Sequence, residues 1–289
     1  MDQRIGKLSD TQIILESYSS IALDGITEKD LDKEVLEYLL NRKDRKLMSK
    51  QDKLALVSAA KAWRQYGKSE DVADRTGIYF CVGILPFEDR PLDKIAQNSQ
   101  EDGEFNYQKF SDDAFNSMNP LLTFKCLPNM PLFHISYNLG ITGRYVMTYP
   151  GHQDLFESII RAVDDLEAGL VDHAIVGVAC DQNNFLVQHH LQRSQVELKD
   201  KALDCSATII LSKRSAKDGD LILKNIQNNY TPNNPFEDGN KLFEGNIEKY
   251  YGAAQIFFEL IKNIESDRIE HKWSLSGNET TLNLEHFHG

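Results

Sequence analysis

The sequence predicts an α/β protein of layered helices and sheets, and two stretches carry most of that expectation. Phe156, Ile159, Ile160, Val163 and Leu166 share one helical face, with Glu157, Arg161, Asp164 and Asp165 between them. Gly169 then offers a left-handed stop, and Ala174-Ile-Val-Gly-Val-Ala follows as a run apolar on both faces, the pattern of a central strand in a covered sheet. Strand, helix and strand here make a βαβ-type unit. The second half repeats the plan in reduced form, with strands at 207–212 and 221–226 ahead of one more amphipathic helix.

In chain order, residues 26–66 read as helical, because Thr27 is a capping residue ahead of acidic first-turn residues and Leu54, Leu56, Val57 and Ala60 recur at helical spacing. Tyr79, Phe80, Val82, Ile84 and Leu85 form a compact apolar run between Gly77 and Pro86, which predicts a buried strand over 76–87. Residues 88–114 are acidic and polar, with Pro91 and Gly103 as breakers, and predict a surface excursion. Beyond the strand at 207–212, Asp218-Gly-Asp is a turn and 228–244 a polar bridge. Ile256, Phe257, Leu260, Ile261 and Ile264 then mark a helix, and a final strand ends near Leu284.

The bulk numbers exclude several classes. A chain of 289 residues with 41% apolar content can bury a substantial core. Its net charge of −12, without a long lysine-arginine cluster, argues against nucleic acid as a ligand. With no apolar core of signal-peptide length at the start and no uncharged run long enough to span a bilayer, the sequence reads as cytoplasmic, with no membrane contact. Cys81, Cys126, Cys180 and Cys205 are scattered and read as reduced thiols, mostly buried. His189-His190 and His286-Phe-His288 lack a third ligand at a recognisable spacing, so no metal is expected. No Gly-x-Ser-x-Gly elbow, phosphate-binding glycine loop or dinucleotide fingerprint occurs, and no cofactor is expected.

The order of landmarks carries a resemblance. Asn119-Pro-Leu-Leu, Leu127-Pro-Asn-Met-Pro, His134-Ile-Ser-Tyr-Asn-Leu-Gly-Ile-Thr-Gly143, Thr148-Tyr-Pro-Gly-His152 and Leu166 to Val178 together resemble the N-terminal half of the β-ketoacyl synthases, the thiolase-fold condensing enzymes. Upstream, Arg45-Lys-Leu-Met-Ser-Lys, Leu54 to Ala62 and Arg75-Thr-Gly-Ile-Tyr match that family's first basic helix and first strand, and Asn246-Ile-Glu-Lys-Tyr-Tyr-Gly-Ala-Ala-Gln255 matches its Asn-Ile-Gly-His-x-x-Gly-Ala-Ala-Gly pattern. The closing segment from Trp273 is similar too, its glycine-rich turn reduced to Gly277. The resemblance implies a thiolase-like layered αβαβα fold with a reduced C-terminal half, divided into 1–195 and 196–289, although full condensing enzymes are longer.

The same resemblance shows what is missing. Where the family places its nucleophilic cysteine, at the start of a buried helix, this chain has His152, with Gln153 as the occupant if the elbow is shifted by one residue. A glutamine commonly stands at that site in chain-length-factor relatives. One catalytic histidine falls on Lys249, which either binds a malonyl carboxylate or points to solvent, and the His-Gly-Thr-Gly-Thr motif has no counterpart. The condensing reaction needs a thiolate favoured by a helix N-terminus, and an imidazole there would have its cation disfavoured and form a fragile acyl adduct.

The resemblance therefore implies a chain-length-factor-like subunit without catalysis of its own. Its partner would be an active ketosynthase in type II polyketide (aryl-polyene-like) or fatty-acid-type synthesis, and acyl carrier protein would be met only through that partner. An acidic chain is itself a poor docking surface for an acidic carrier. Family dimers join through the strand before the elbow, here Arg144 to Tyr149, so Tyr145, Met147 and Tyr149 are expected at the interface, and Met118, Leu121, Leu122, Phe124, Met130 and Phe133 on the partner's tunnel floor or in plain core packing. Two alternatives stay open: a stand-alone decarboxylase or acyltransferase using His152, Gln153 or Lys249, and a homodimeric scaffold with no acyl ligand.

Overall fold

The computed structural model describes residues 11–67, 70–83, 89–149, 151–193, 201–230, 248–275 and 278–289. Ile84 to Phe87, most of the bridge expected at 228–244, Asn246 and Gly277 lie outside these described residues.

The chain opens with β1 (Thr11–Ala22). Next come α1 (Glu28–Val35), a 3-10 segment at Arg42–Leu47 and α2 (Lys50–Tyr66). Thr27 caps α1 as expected, through a capping box with Asp30, and Ser49 caps α2 in the same way with Asp52. The expected helical stretch over 26–66 is thus three pieces, because Asn41 starts a new cap before α2 begins. β2 (Thr76–Val82) is buried along its whole length.

The stretch expected as a surface excursion is more ordered than its polarity suggests. It holds α3 (Asp89–Asn98), the hairpin β3 (Gln100–Glu101) and β4 (Glu104–Phe105), α4 (Tyr107–Lys109) and a π-helical turn to Ala114. α5 (Phe115–Ser117), α6 (Leu121–Lys125) and α7 (Met130–Leu139) follow, with Pro120 and Pro128 in the breaks between them. Then come β5 (Tyr145–Thr148), α8 (His152–Glu167), β6 (His173–Cys180) and α9 (Phe185–Arg193). The chain closes with β7 (Cys205–Ser215), β8 (Leu221–Tyr230), α10 (Gln255–Lys262), β9 (Arg268–Leu275) and β10 (Asn278–His286). The single closing strand expected from the sequence is two, and they pair antiparallel.

Eight of these strands form one sheet in the order β5-β2-β6-β7-β1-β8-β10-β9. β2 runs parallel to both β5 and β6, so β5, α8 and β6 form the expected βαβ unit with β2 between its strands. α8 and α10 cover one face, where Phe156, Ile159, Leu166, Ile256 and Phe257 pack on Tyr79, Val176 and Ile209. α2 and α7 cover the other, where Ala55, Ala59, Leu132 and Ile135 meet Ile78, Phe80 and Ile175. α2 is also pinned by polar contacts, since the Ser58 hydroxyl lies 2.7 Å from Ser206 Oγ and 2.8 Å from Thr208 Oγ1 on β7. Among the described residues no helix is long and apolar enough to cross a membrane.

One glycine in β6 has a steric reason: a Cβ on Gly177 would lie 2.1 Å from the ring of Phe80 on the neighbouring strand. Gly177→Ala therefore costs about 1–3 kcal/mol through overpacking. Urea denaturation of a double-mutant cycle with Phe80→Leu checks this, and the pair should be less destabilised than the sum of the single variants.

Candidate functional site

The βαβ unit positions the region where condensing chemistry would stand. β5 ends at Thr148, and α8 begins at His152 after an extended Gly151 without a side-chain cap. The elbow is braced by Thr148 Oγ1, which donates to the Asp154 carbonyl at 2.9 Å and lies 2.7 Å from Ser158 Oγ. His152 is thus the first residue of the helix, and its side chain is not among the described groups. Gln153, the second residue, is exposed.

One thiol does lie beneath the elbow, on the wrong side for acyl transfer. Cys81 on β2 is fully buried and donates to the Tyr149 carbonyl at 3.2 Å. Burial, with Cys180 nearby, pushes its thiol up to about 12, so it stays protonated and inert.

The segment that resembles the family's histidine loop crosses the same end of the sheet, where β6 ends and β7 begins. Tyr250 donates its N–H to the Lys201 carbonyl at 2.8 Å and accepts from Leu203 N–H at 2.9 Å. Gly252 adopts a positive φ of 57° and seats against Gln182, whose Nε2 would be 1.7 Å from a Cβ at that position. Lys249 is exposed and its ammonium pairs with Asp24, which raises its pKa. Sequence reasoning left Lys249 between a carboxylate-binding and a solvent-facing role, and here its partner is a side chain of the chain itself. Glu248, Lys249 and Gln153 are all exposed.

A buried ion cluster, not anticipated from the sequence, fastens this end of the sheet. Lys50, first residue of α2, places Nζ 2.8 Å from both Asp181 Oδ1 and Asp204 Oδ2, at the end of β6 and the approach to β7. Both carboxylates are under 10% exposed. Burial pulls the Lys50 pKa down, but the two carboxylates outweigh it and raise it. Burial pushes Asp181 up to about 6 against the pull of Lys50. Asp204 also accepts from Asn183 N–H at 2.8 Å, which orders the turn that carries Gln182.

The second feature is the sheet edge. β5 is an outermost strand, and Ile78 N–H bonds the Arg144 carbonyl at 2.8 Å, with Ile78 opposite Tyr145. In a parallel ladder of that register the N–H and C=O of Tyr145 and Met147 face away from β2. Tyr145 (68% exposed) and Tyr149 stand on this edge, and Phe133 and Tyr137 stack on the neighbouring α7, with ring centroids 5.8 Å apart. Between them opens a pocket of about 200 Å³ lined by Ile78, Leu132, Phe133, Ser136, Ile141 and Tyr145 among others.

The other residues singled out from the sequence divide by burial. Phe124 is exposed, Met118, Leu121 and Met147 are half-buried, and Leu122 and Met130 are buried within the chain.

Comparison with solved structures gives this architecture a class. A type II polyketide synthase acyl-carrier protein in complex with its ketosynthase, bound to the hexaketide, contains a chain that matches with TM-score 0.69 and 12% identity, covering 96% of this chain and 100% of its own. A ketosynthase in complex with its chain length factor from Xenorhabdus doucetiae matches with TM-score 0.62 and 11% identity over 98% and 100%. A β-ketoacyl synthase from Burkholderia phymatum STM815 matches with TM-score 0.64 and 10% identity over 96% and 100%. No protein-family model and no curated protein matches the sequence. The chain has the thiolase-like fold of the condensing enzymes, the fold of ketosynthases.

The Lys50 cluster makes a sharp electrostatic demand. Lys50→Met leaves two buried carboxylates unneutralised and lowers stability by about 3–5 kcal/mol at neutral pH. A carboxyl whose folded pKa is raised contributes stability that is present at low pH and lost as pH rises through that pKa. The deficit of the variant should therefore shrink at about pH 5 relative to about pH 8, as read by urea denaturation at both.

Proposed function

We propose that this chain is a non-catalytic, chain-length-factor-like subunit that pairs with an active ketosynthase and shapes its acyl tunnel, in type II polyketide (aryl-polyene-like) or fatty-acid-type synthesis. The observation that carries the reading is an α8 that begins at His152, directly after an open edge strand, with no cysteine at the helix start. A condensing enzyme needs sulfur at that place to hold a growing chain as a thioester, and the thiol beneath it is buried and protonated.

The edge supports the pairing half of the proposal. Outward N–H and C=O groups at Tyr145 and Met147 need a strand or water, and an antiparallel partner strand would satisfy them while covering Tyr145, Tyr149, Phe133 and Tyr137. A net charge of −12 favours a less acidic subunit on the other side, one that also supplies the docking surface for the acidic acyl carrier. Phe133, Tyr145 and their pocket would then lie against the partner, and bulky side chains there would limit how far an acyl chain extends. The 1–195 half of the chain carries all of these features, while 196–289 contributes the closing strands.

Co-expression with a catalytic ketosynthase encoded beside it tests the reading. The expected result is a stable equimolar complex by size-exclusion chromatography, formed by neither subunit alone and disrupted by Met147→Asp on the open edge. A soluble homodimer that ignores that ketosynthase would overturn the pairing.

A further inference from the structure

Apart from the elbow and the edge, the protein concentrates unusual chemistry where β6 ends and β7 begins. Cys180 and Cys205 are direct partners in the antiparallel register of these two strands. Opposed residues in such a ladder have Cα atoms about 4.5 or 5.5 Å apart, according to their place in the hydrogen-bond pattern, and both values lie inside the range that a disulfide spans. Both side chains point to the same face of the sheet, into the core beneath α8 and α10. The Cys205 S–H is placed to donate to the Tyr251 carbonyl at 3.4 Å.

The two sulfurs differ in reactivity. Cys180 is held below the ordinary thiol value, first by the Cys205 donor and then by the backbone N–H groups of Ala254 and Ala253, which outweigh burial. Cys205 is pushed well up by burial and by its neighbour. Cys180 also keeps 4% of its surface open to solvent, whereas Cys205 and Cys81 keep none. Cys81 is a poor rival partner, because it stands opposite Val178 and is therefore diagonal to Cys180, at about 7–8 Å between Cα atoms.

We propose that Cys180 and Cys205 form a reversible dithiol–disulfide pair, with Cys180 as the attacking thiol, Cys205 as the resolving thiol and a hydroperoxide as the oxidant. Cys180 sulfur attacks the terminal peroxide oxygen, so that an S–O bond forms, the O–O bond breaks and the departing oxygen takes up the thiol proton. Cys205 sulfur then attacks the resulting sulfenic acid; an S–S bond forms, the S–O bond breaks and hydroxide leaves as water with the Cys205 proton. In total, two thiols and one hydroperoxide give one disulfide, one alcohol or water, and one further water.

The bond acts on the segment above it. Once oxidised, Cys205 has no S–H to donate to the Tyr251 carbonyl, which also accepts from Ala254 N–H at 3.1 Å, so 250–254 loses part of its anchoring to the sheet. This is independent of the subunit role, because it requires no partner and no acyl group.

The test uses the purified full chain in its native state with hydrogen peroxide as the probe. Non-reducing peptide mapping should find Cys180 cross-linked to Cys205, with loss of two hydrogens from the intact mass and full reversal by dithiothreitol. Cys205→Ser should stop at a sulfenic acid on Cys180 that dimedone traps, and Cys180→Ser should yield neither product. Amide exchange at Ala253 and Ala254 should speed up several-fold in the oxidised protein. Thiols that stay reduced unless urea is added, or a cross-link from Cys180 to Cys81 in the wild-type chain, would overturn the proposal. The wild-type map alone decides it if either variant fails to fold.

Discussion

One ammonium group holds one end of the central sheet together. Lys50 starts α2 on one face of the sheet, yet its Nζ reaches the carboxylates where β6 ends and β7 is about to begin. Two buried carboxylates so near each other would repel and force the strand ends apart without it. Their neutralisation allows Asp204 to fasten the turn at Asn183, the turn to present Gln182, and Gln182 to seat Gly252. The placement of the 249–254 segment over the strand ends follows from that chain of contacts.

The same end of the sheet carries the elbow between β5 and α8. The elbow has an extended glycine, an exposed second residue and a helix whose positive pole lies at His152. What would exploit that pole is a thiolate, and the nearby sulfur is turned inward to the Tyr149 carbonyl. Lys249 has its charge engaged by Asp24. β5 is one of the two outermost strands of the sheet, and its Tyr145 and Tyr149 side chains are exposed.

Much of this was legible in the sequence. Ala174 to Ala179 is apolar at every position because both faces of β6 are covered, and Phe156, Ile159, Val163 and Leu166 of the α8 stripe face one core. Those signals are local and strong. β1 was not legible: Glu16, Ser17, Ser19 and Ser20 interrupt its pattern, and it is a strand because β7, nearly two hundred residues away, pairs along it. The closing hairpin likewise depends on β8 to order both strands. At the site, the family resemblance placed His152 at a helix start, whereas Asp24 as the partner of Lys249 and the two aspartates around Lys50 join residues far apart in sequence and leave no periodic trace. The run Arg45 to Lys50 was read as a family landmark, and only the fold shows which of its charges is buried.

The central claim is that this polypeptide cannot carry an acyl chain where a ketosynthase does. Intact-mass spectrometry of the isolated chain after incubation with an acylated carrier protein measures this directly. The account predicts an unmodified mass, because no exposed cysteine stands at the start of α8. A covalent acyl adduct on the chain, formed without any companion subunit, would contradict it.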